Sequence, residues 1–308
     1  MATRVGIVGC GAIGGLYAAH LAALEDVEVW AYDVSRDHVE AINEEGLRLT
    51  GHTQLHARVR ATADAAELPP CGLGIVATKG IFTESAVAAT AHAFRDAAVC
   101  SVQNGIGNEE AIAQHAPRVM RGVTMQAGHV TAPAVIHVDA PGPTWIGPFE
   151  PRAAAMDEVH ALAALLNRSG METVALDDAR GAQWTKVLFN AATNPLCALT
   201  GLTHGELCDL PAARALAGAL IEEGRAVCDA LGITLDGDPE ALIDEAARTN
   251  HQHKPSMLQD VLAQRPTEIA TLNGGIARAA GAGGLAAPLH EAIAALVCAL
   301  EHRWSLER

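Results

Sequence analysis

Val5-Gly6-Ile7-Val8-Gly9-Cys10-Gly11-Ala12-Ile13-Gly14 decides how the rest of the chain is read. The apolar run at 4–8 predicts a strand, and the Ala- and Leu-rich segment 12–24 predicts a helix directly after it. Gly9, Gly11 and Gly14 thus form G-x-G-x-x-G at a strand-to-helix turn. In that setting the first glycine permits the tight turn and the second lets the backbone approach a pyrophosphate. The third lets the helix press on the strand. The helix N-terminus supplies unpaired N–H groups and a partial positive charge for phosphates. The turn Gly9, Cys10, Gly11, Ala12, Ile13 and Gly14 is therefore expected to bind a dinucleotide, the alternative being an incidental glycine-rich turn.

Asp33 ends the next predicted strand, 28–32, and stands 19 residues after Gly14. A carboxylate there accepts hydrogen bonds from the adenosine ribose and repels a 2′-phosphate. The expected cofactor is accordingly NAD(P)H, with NADH favoured over NADPH. Capping of a helix that begins near Ser35 is the other use open to Asp33, and neighbouring Arg36 would soften the repulsion.

Further strands are predicted at 73–77 and 98–102, with a helix around 84–94 between them, so the sheet is parallel with helices on its faces. Segment 123–146 is β-rich, with a turn at Ala140-Pro141-Gly142-Pro143, and a helix at 153–169 follows. Beyond Asp178 the texture changes: 182–199, 212–231, 239–248, 257–264 and 289–302 have helical spacing. The expected fold is α/β, a Rossmann-like dinucleotide-binding domain over 1–176 followed by an all-helical substrate domain over 177–308. A ligand is expected in the cleft between two such domains.

Composition agrees with two real cores. Of 308 residues, 50% are hydrophobic and 19% charged, which excludes a disordered chain. Only 3% are aromatic, so Ala, Leu, Val and Ile must do the packing. A net charge of −15 argues against sequence-independent nucleic-acid binding, which needs a basic surface. The uncharged stretch 292–300 falls far short of the roughly 20 residues a bilayer requires. Seven scattered cysteines without a CxxC pair suit reduced, packed thiols, and no export signal is read at the N-terminus. The expected location is cytoplasmic, with no metal, no nucleic acid and no membrane as partner.

The chemistry is concentrated in Trp184-Thr185-Lys186-Val187-Leu188-Phe189-Asn190-Ala191-Ala192-Thr193-Asn194-Pro195. Lys186, Asn190 and Asn194 recur every four residues, one polar stripe on an otherwise apolar helix. Asparagine is a mediocre helix former, and a merely solvated face would carry Glu, Lys or Gln, so the stripe reads as ligand-facing. Pro195 is expected to bend the helix beyond it. Ser256 with Gln259 fits a capping box, and Glu268 fits the first turn of the next helix; both readings are structural. Lys79 follows one predicted strand, and Gln103-Asn104-Gly105 another, at the carboxyl ends where such sheets bind ligands, although Asn-Gly also makes ordinary turns.

Taken together, these residues resemble the ketopantoate reductase (2-dehydropantoate 2-reductase) family from Val5 to about Leu300. The match runs through the glycine turn, Gln103-Asn104-Gly105, Ile146-Gly147-Pro148 and the Lys186 stripe. It continues through Gly205-Glu206-Leu207, Ser256-Met257-Leu258-Gln259-Asp260, Thr267-Glu268-Ile269 and Asn273-Gly274. The resemblance implies reduction of 2-dehydropantoate to pantoate with a nicotinamide cofactor, in pantothenate synthesis. It implies Lys186 as catalytic acid, Asn190, Asn194 and Ser256 on the substrate, and Asn104 on both ligands. Lys79, Gly128 and Glu268 would lie near the cofactor, which revises the structural readings of Ser256 and Glu268. The implied partner is a small 2-oxo acid, with a homodimer left open. Three departures stand out. Asp33 replaces the basic residue common in NADPH-using members, Lys79 could then pair with Asp33, and His204 and His253 stand where asparagine is frequent. A same-fold 2-hydroxy-acid dehydrogenase for another branched or hydroxylated 2-oxo acid, or a non-catalytic dinucleotide sensor, are the alternatives.

Overall fold

Strand-forming and helix-forming segments alternate as far as Ala175, and only helices follow. The structure, a computed structural model, describes residues 3–306. The strands are β1 (Thr3–Val8), β2 (Val27–Tyr32), β3 (Leu47–Gly51), β4 (Leu55–Ala57), β5 (Arg60–Thr62) and β6 (Leu73–Val76). They continue as β7 (Ala98–Ser101), β8 (Arg118–Thr124), β9 (Ala127–Ala132), β10 (Val135–Ala140), β11 (Thr144–Pro148) and β12 (Thr173–Ala175). Among the described residues they form two sheets, ordered β12-β11-β8-β7-β6-β1-β2-β5 and β4-β3-β10-β9. From β5 to β8 the large sheet is parallel, and β11 turns antiparallel on β8. This is the α/β, Rossmann-like architecture that the alternation predicts. Three strands at 47–62 belong to segments that alternation alone does not mark.

The chain divides into two units. One comprises the chain up to Gln103 together with Asn108–Ala179; the other takes Asn104–Gly107 and the chain from Arg180 onward. In the first unit, helix α1 (Ala12–Ala22) is apolar nearly all round and is accordingly buried, packing against the small sheet. Gly15 permits that approach, because a Cβ there would strike Ile136. With α2 (Arg36–Glu45), α3 (Thr83–Thr90), α4 (Asn108–Ala113) and α5 (Met156–Arg168), it covers the large sheet. Gly6 and Gly74 pair in register on β1 and β6, and a Cβ on either would lie 2.8 Å from the ring of Phe94. A scarce aromatic is thereby seated in a groove made of glycines.

The second unit is helical: α6 (Arg180–Thr200), α7 (His204–Asp209), α8 (Pro211–Ala230), α9 (Pro239–Thr249), α10 (Ser256–Leu262), α11 (Asn273–Ala282) and α12 (Pro288–Leu306). Its core is aliphatic, built on Val187, Leu188, Leu220, Ile221, Ile276 and Val297. α7 was not expected from periodicity. It is started by a capping box in which Thr203 Oγ1 accepts from Glu206 N at 3.4 Å and Glu206 Oε2 accepts from Thr203 N at 2.9 Å. No helix among the described residues is long and apolar enough to cross a membrane.

Candidate active site

In the first unit the glycine turn is shaped by backbone demands. Gly9 has φ +87°, and a Cβ there would press on Thr78 N at 2.7 Å, so both conformation and space require glycine. A Cβ on Gly14 would collide with the Gly9 carbonyl, whereas one on Gly11 would meet nothing within 4 Å. Gly11 is the N-cap of α1 and provides no side-chain cap, which leaves the first amides of the helix for an anion. The cradle fits a dinucleotide pyrophosphate.

Asp33 sits at this turn. Its Oδ2 accepts from Cys10 N at 2.8 Å and its Oδ1 from Ser35 N at 2.9 Å. One carboxylate thus ties the glycine turn to the start of α2, and spare lone pairs on its oxygens can receive ribose hydroxyls. Cys10 contributes backbone only: burial, reinforced by Asp33, pushes its thiol far above the ordinary range. His38 on α2 was not singled out by sequence. Its Nε2 lies 2.9 Å from Cys10 O and its Nδ1 accepts from Ala134 N at 3.2 Å, so Nε2 carries the proton and donates to the turn. A histidine on the buried face of α2 beside Val39 and Ile42 was the available signal.

At the end of β6, Thr78-Lys79 leads into a 3₁₀ turn at Gly80–Phe82. Gln103 Nε2 holds this segment by donating to Thr78 O at 2.8 Å and Thr83 Oγ1 at 2.7 Å. Gly128 lies on β9 opposite Val138, where a Cβ would approach His137 O to 2.6 Å.

The helical unit gathers the reactive groups. Lys186 Nζ donates to Asn104 Oδ1 at 2.8 Å, and Asn104 Nδ2 donates to Glu268 Oε2 at 3.0 Å. The amide of Asn104 is oriented by a donor on one side and an acceptor on the other. It belongs to this unit because Ile106 N donates to Thr271 O at 2.9 Å and Gln183 Nε2 to Gly105 O at 3.3 Å. Gly105, at φ +88°, brings the backbone against Thr271. Burial lowers the Lys186 ammonium from 10.5 to about 8, while the Glu268 carboxylate pulls the other way.

Asn190 and Asn194 continue the stripe along α6, 7% and 4% exposed. The Asn190 amide has no hydrogen-bond partner among the described residues, and Asn194 only receives Thr193 Oγ1 at 3.4 Å. Buried amides left this open are poised for a ligand.

Two local expectations are corrected. Ser256 is the first residue of α10, Pro255 is its N-cap, and Gln259 Nε2 donates to Lys254 O at 2.9 Å; there is no capping box, because Ser256 is already helical. Glu268 lies in a turn ahead of α11, which starts only at Asn273, so its carboxylate serves Asn104 rather than a helix end. Ser256 is exposed at the start of a helix that packs on α6. His204 is 6% exposed, with both ring nitrogens lacking partners, between the rings of Phe189 and His253, each 5.7 Å away. Burial first, then His253, lowers it to about 4, so it is neutral at physiological pH.

Comparison with known proteins gives a consistent picture. Residues 5–151 match the family model "Ketopantoate reductase PanE/ApbA", and residues 178–301 match "Ketopantoate reductase PanE/ApbA C terminal". The 2-dehydropantoate 2-reductase of Pyrococcus horikoshii is 34% identical over 97% of each chain. That of Archaeoglobus fulgidus is 30% identical, over 89% of this chain and 90% of the relative. Among solved structures, a PanE/ApbA family ketopantoate reductase from Ralstonia eutropha aligns with a TM-score of 0.88 at 30% identity, covering 98% of this chain and 99% of the other. D-mandelate dehydrogenase, in a ternary structure with NADH and anilino(oxo)acetate, aligns at 0.90 with 25% identity over the same shares.

Proposed function

The chain belongs to the ketopantoate reductase family, and from that membership we propose that it reduces 2-dehydropantoate to pantoate with Lys186 as proton donor. Members are NAD(P)H-dependent oxidoreductases that interconvert a 2-oxo acid and a 2-hydroxy acid, and this chain is one. Bound reduced nicotinamide supplies the hydride. The protein's task is to hold the ketone, stabilise the oxygen and deliver a proton to it.

Lys186 performs the last two. With its ammonium brought to about 8 it is still mainly protonated at neutral pH, yet acidic enough to give up its proton as charge develops on the ketone oxygen. Asn104 aims the ammonium through its 2.8 Å bond, and Glu268 keeps that amide in one orientation. Asn190 and Asn194 donate to the carboxylate and hydroxyl of the substrate, and Ser256 adds a further donor. Gly9 to Gly14 cradle the pyrophosphate, with Lys79 and Gly128 in the same unit as further cofactor contacts. The observation that carries this reading is the Lys186–Asn104–Glu268 chain, an oriented and partly desolvated acid for which a dinucleotide sensor has no use.

We also propose NADH in preference to NADPH. Asp33 at the glycine turn supports it, as does the solved D-mandelate dehydrogenase structure with NADH. A second reading, a 2-hydroxy-acid dehydrogenase for another 2-oxo acid, is favoured by neutral His204 beside Phe189 and by that same structural likeness. The experiment is kcat/KM of the purified protein for 2-dehydropantoate and a panel of branched and aryl 2-oxo acids, each with NADH and NADPH. Highest efficiency on 2-dehydropantoate with NADH is expected. A better aryl substrate selects the second reading, no turnover at all rejects both, and an NADPH preference rejects the role given to Asp33.

A further inference from the structure

α6 runs through Pro195. Proline has no N–H, so the carbonyl four residues earlier, Ala191 O, loses its helical donor. Ala191 is fully buried and water cannot substitute. Asn273, the first residue of α11, fills the gap: its Nδ2 donates to Ala191 O at 3.0 Å. The same Nδ2 lies 3.1 Å from His290 Nδ1, while His290 Nε2 lies 3.0 Å from Leu220 O on α8.

The protons can be counted. Leu220 O can only accept, so Nε2 carries the hydrogen; Nδ1 is then bare and takes the second hydrogen of the Asn273 amide. Burial lowers the basicity of His290, opposed first by its bond to Leu220 O and then by the charge of Glu223, which accepts the His290 and Leu289 backbone N–H groups. Both hydrogens of Asn273 Nδ2 are used, whereas its Oδ1 is buried without a partner. Asn273 is held there for its donors.

The turn it secures runs from Asn190, next to Ala191, to Asn194, next to Pro195. We propose that Asn273, locked by neutral His290, is a positioning residue that sets Asn190 and Asn194 against Lys186 for the substrate. This rests on the proposed reductase activity. Asn273 acts through the α6 carbonyl and touches no reactant itself.

The test is a double-mutant cycle with Pro195→Ala, which restores an N–H at position 195 and should satisfy Ala191 O from within the helix. In the natural background, Asn273→Ala should raise KM for the 2-oxo acid about tenfold to a hundredfold, with a smaller change in kcat. NAD(P)H affinity should stay unchanged, because the glycine turn belongs to the other unit. In the Pro195→Ala background the same substitution should cost much less in KM. An equal KM penalty in both backgrounds overturns the proposal, as does a lowered Tm with KM unchanged. Should Asn273→Ala not fold, His290→Leu, which frees one Asn273 hydrogen, replaces it in the cycle under the same criteria. Wild-type protein that turns over no 2-oxo acid refutes the activity and this role with it; turnover with a cycle that fails refutes this role alone.

Discussion

At the scale of single residues, the site works by setting two opposed influences on one amine. Desolvation lowers Lys186 towards 8 and the charge of Glu268 opposes it, so the carboxylate works against the effect of burial. The sign of its removal follows. Glu268→Gln still accepts from Asn104 but no longer favours the charged ammonium, so the pKa of Lys186 should fall. With Lys186 as the proposed proton donor, reduction would need the protonated amine, and kcat/KM should therefore decline as pH rises through about 8 in the natural protein. In Glu268→Gln the decline should begin at lower pH. Profiles of kcat/KM against pH that superimpose would show that Glu268 does not tune the acid.

At the scale of elements, α6 is the organising piece, and its neighbours are cut to fit it. Gly224 on α8 allows Leu188 to nest, since a Cβ there would meet Leu188 Cδ2. Gly224→Ala should therefore overpack the α6–α8 contact and cost about 1–3 kcal/mol, read as a lowered Tm, whereas alanine in an exposed helix position would normally stabilise. A Tm equal to or above that of the natural protein would mean the helices separate without strain. Most of α6 was legible: the four-residue spacing of Lys186, Asn190 and Asn194 places them on one stripe whatever the helix packs against. Its passage through Pro195 was legible too, within the helical spacing of 182–199, but the group that takes over the lost backbone donor was not. The replacement donor, Asn273, comes from 78 residues further along the chain, and local periodicity carries no trace of it.

At the scale of the whole molecule, two cores divide the labour. The glycine turn with Asp33 and His38 is built on one, and Lys186 with Asn104 and Glu268 on the other. Lys186→Ala should consequently lower kcat about 10²–10⁴-fold while leaving NAD(P)H affinity, followed by nucleotide fluorescence, where it was. Lost cofactor binding would show the two functions to be inseparable. Gly9 and Gly14 could be assigned from sequence because strand, turn and helix are contiguous and the turn's geometry admits no other residue. Asn104 could be marked as a polar residue after a strand, but not as a member of the helical unit. That membership depends on Ile106 and Gly105 bonding to Thr271 and Gln183. From spacing alone Glu268 reads as a helix-start carboxylate and the family resemblance moves it to the cofactor's neighbourhood, but neither names Asn104 as its partner. The amino-acid order alone marked most of the elements, the glycine turn and the polar stripe, since each follows from contacts within a few residues, whereas the strands at 47–62 and helix α7 left no such period. Which amide bonds to the lysine, which carboxylate lies beyond that amide and which asparagine takes the open α6 carbonyl were decided only by the folded chain, because hydrogen bonds across scores of residues follow from packing and leave no local period.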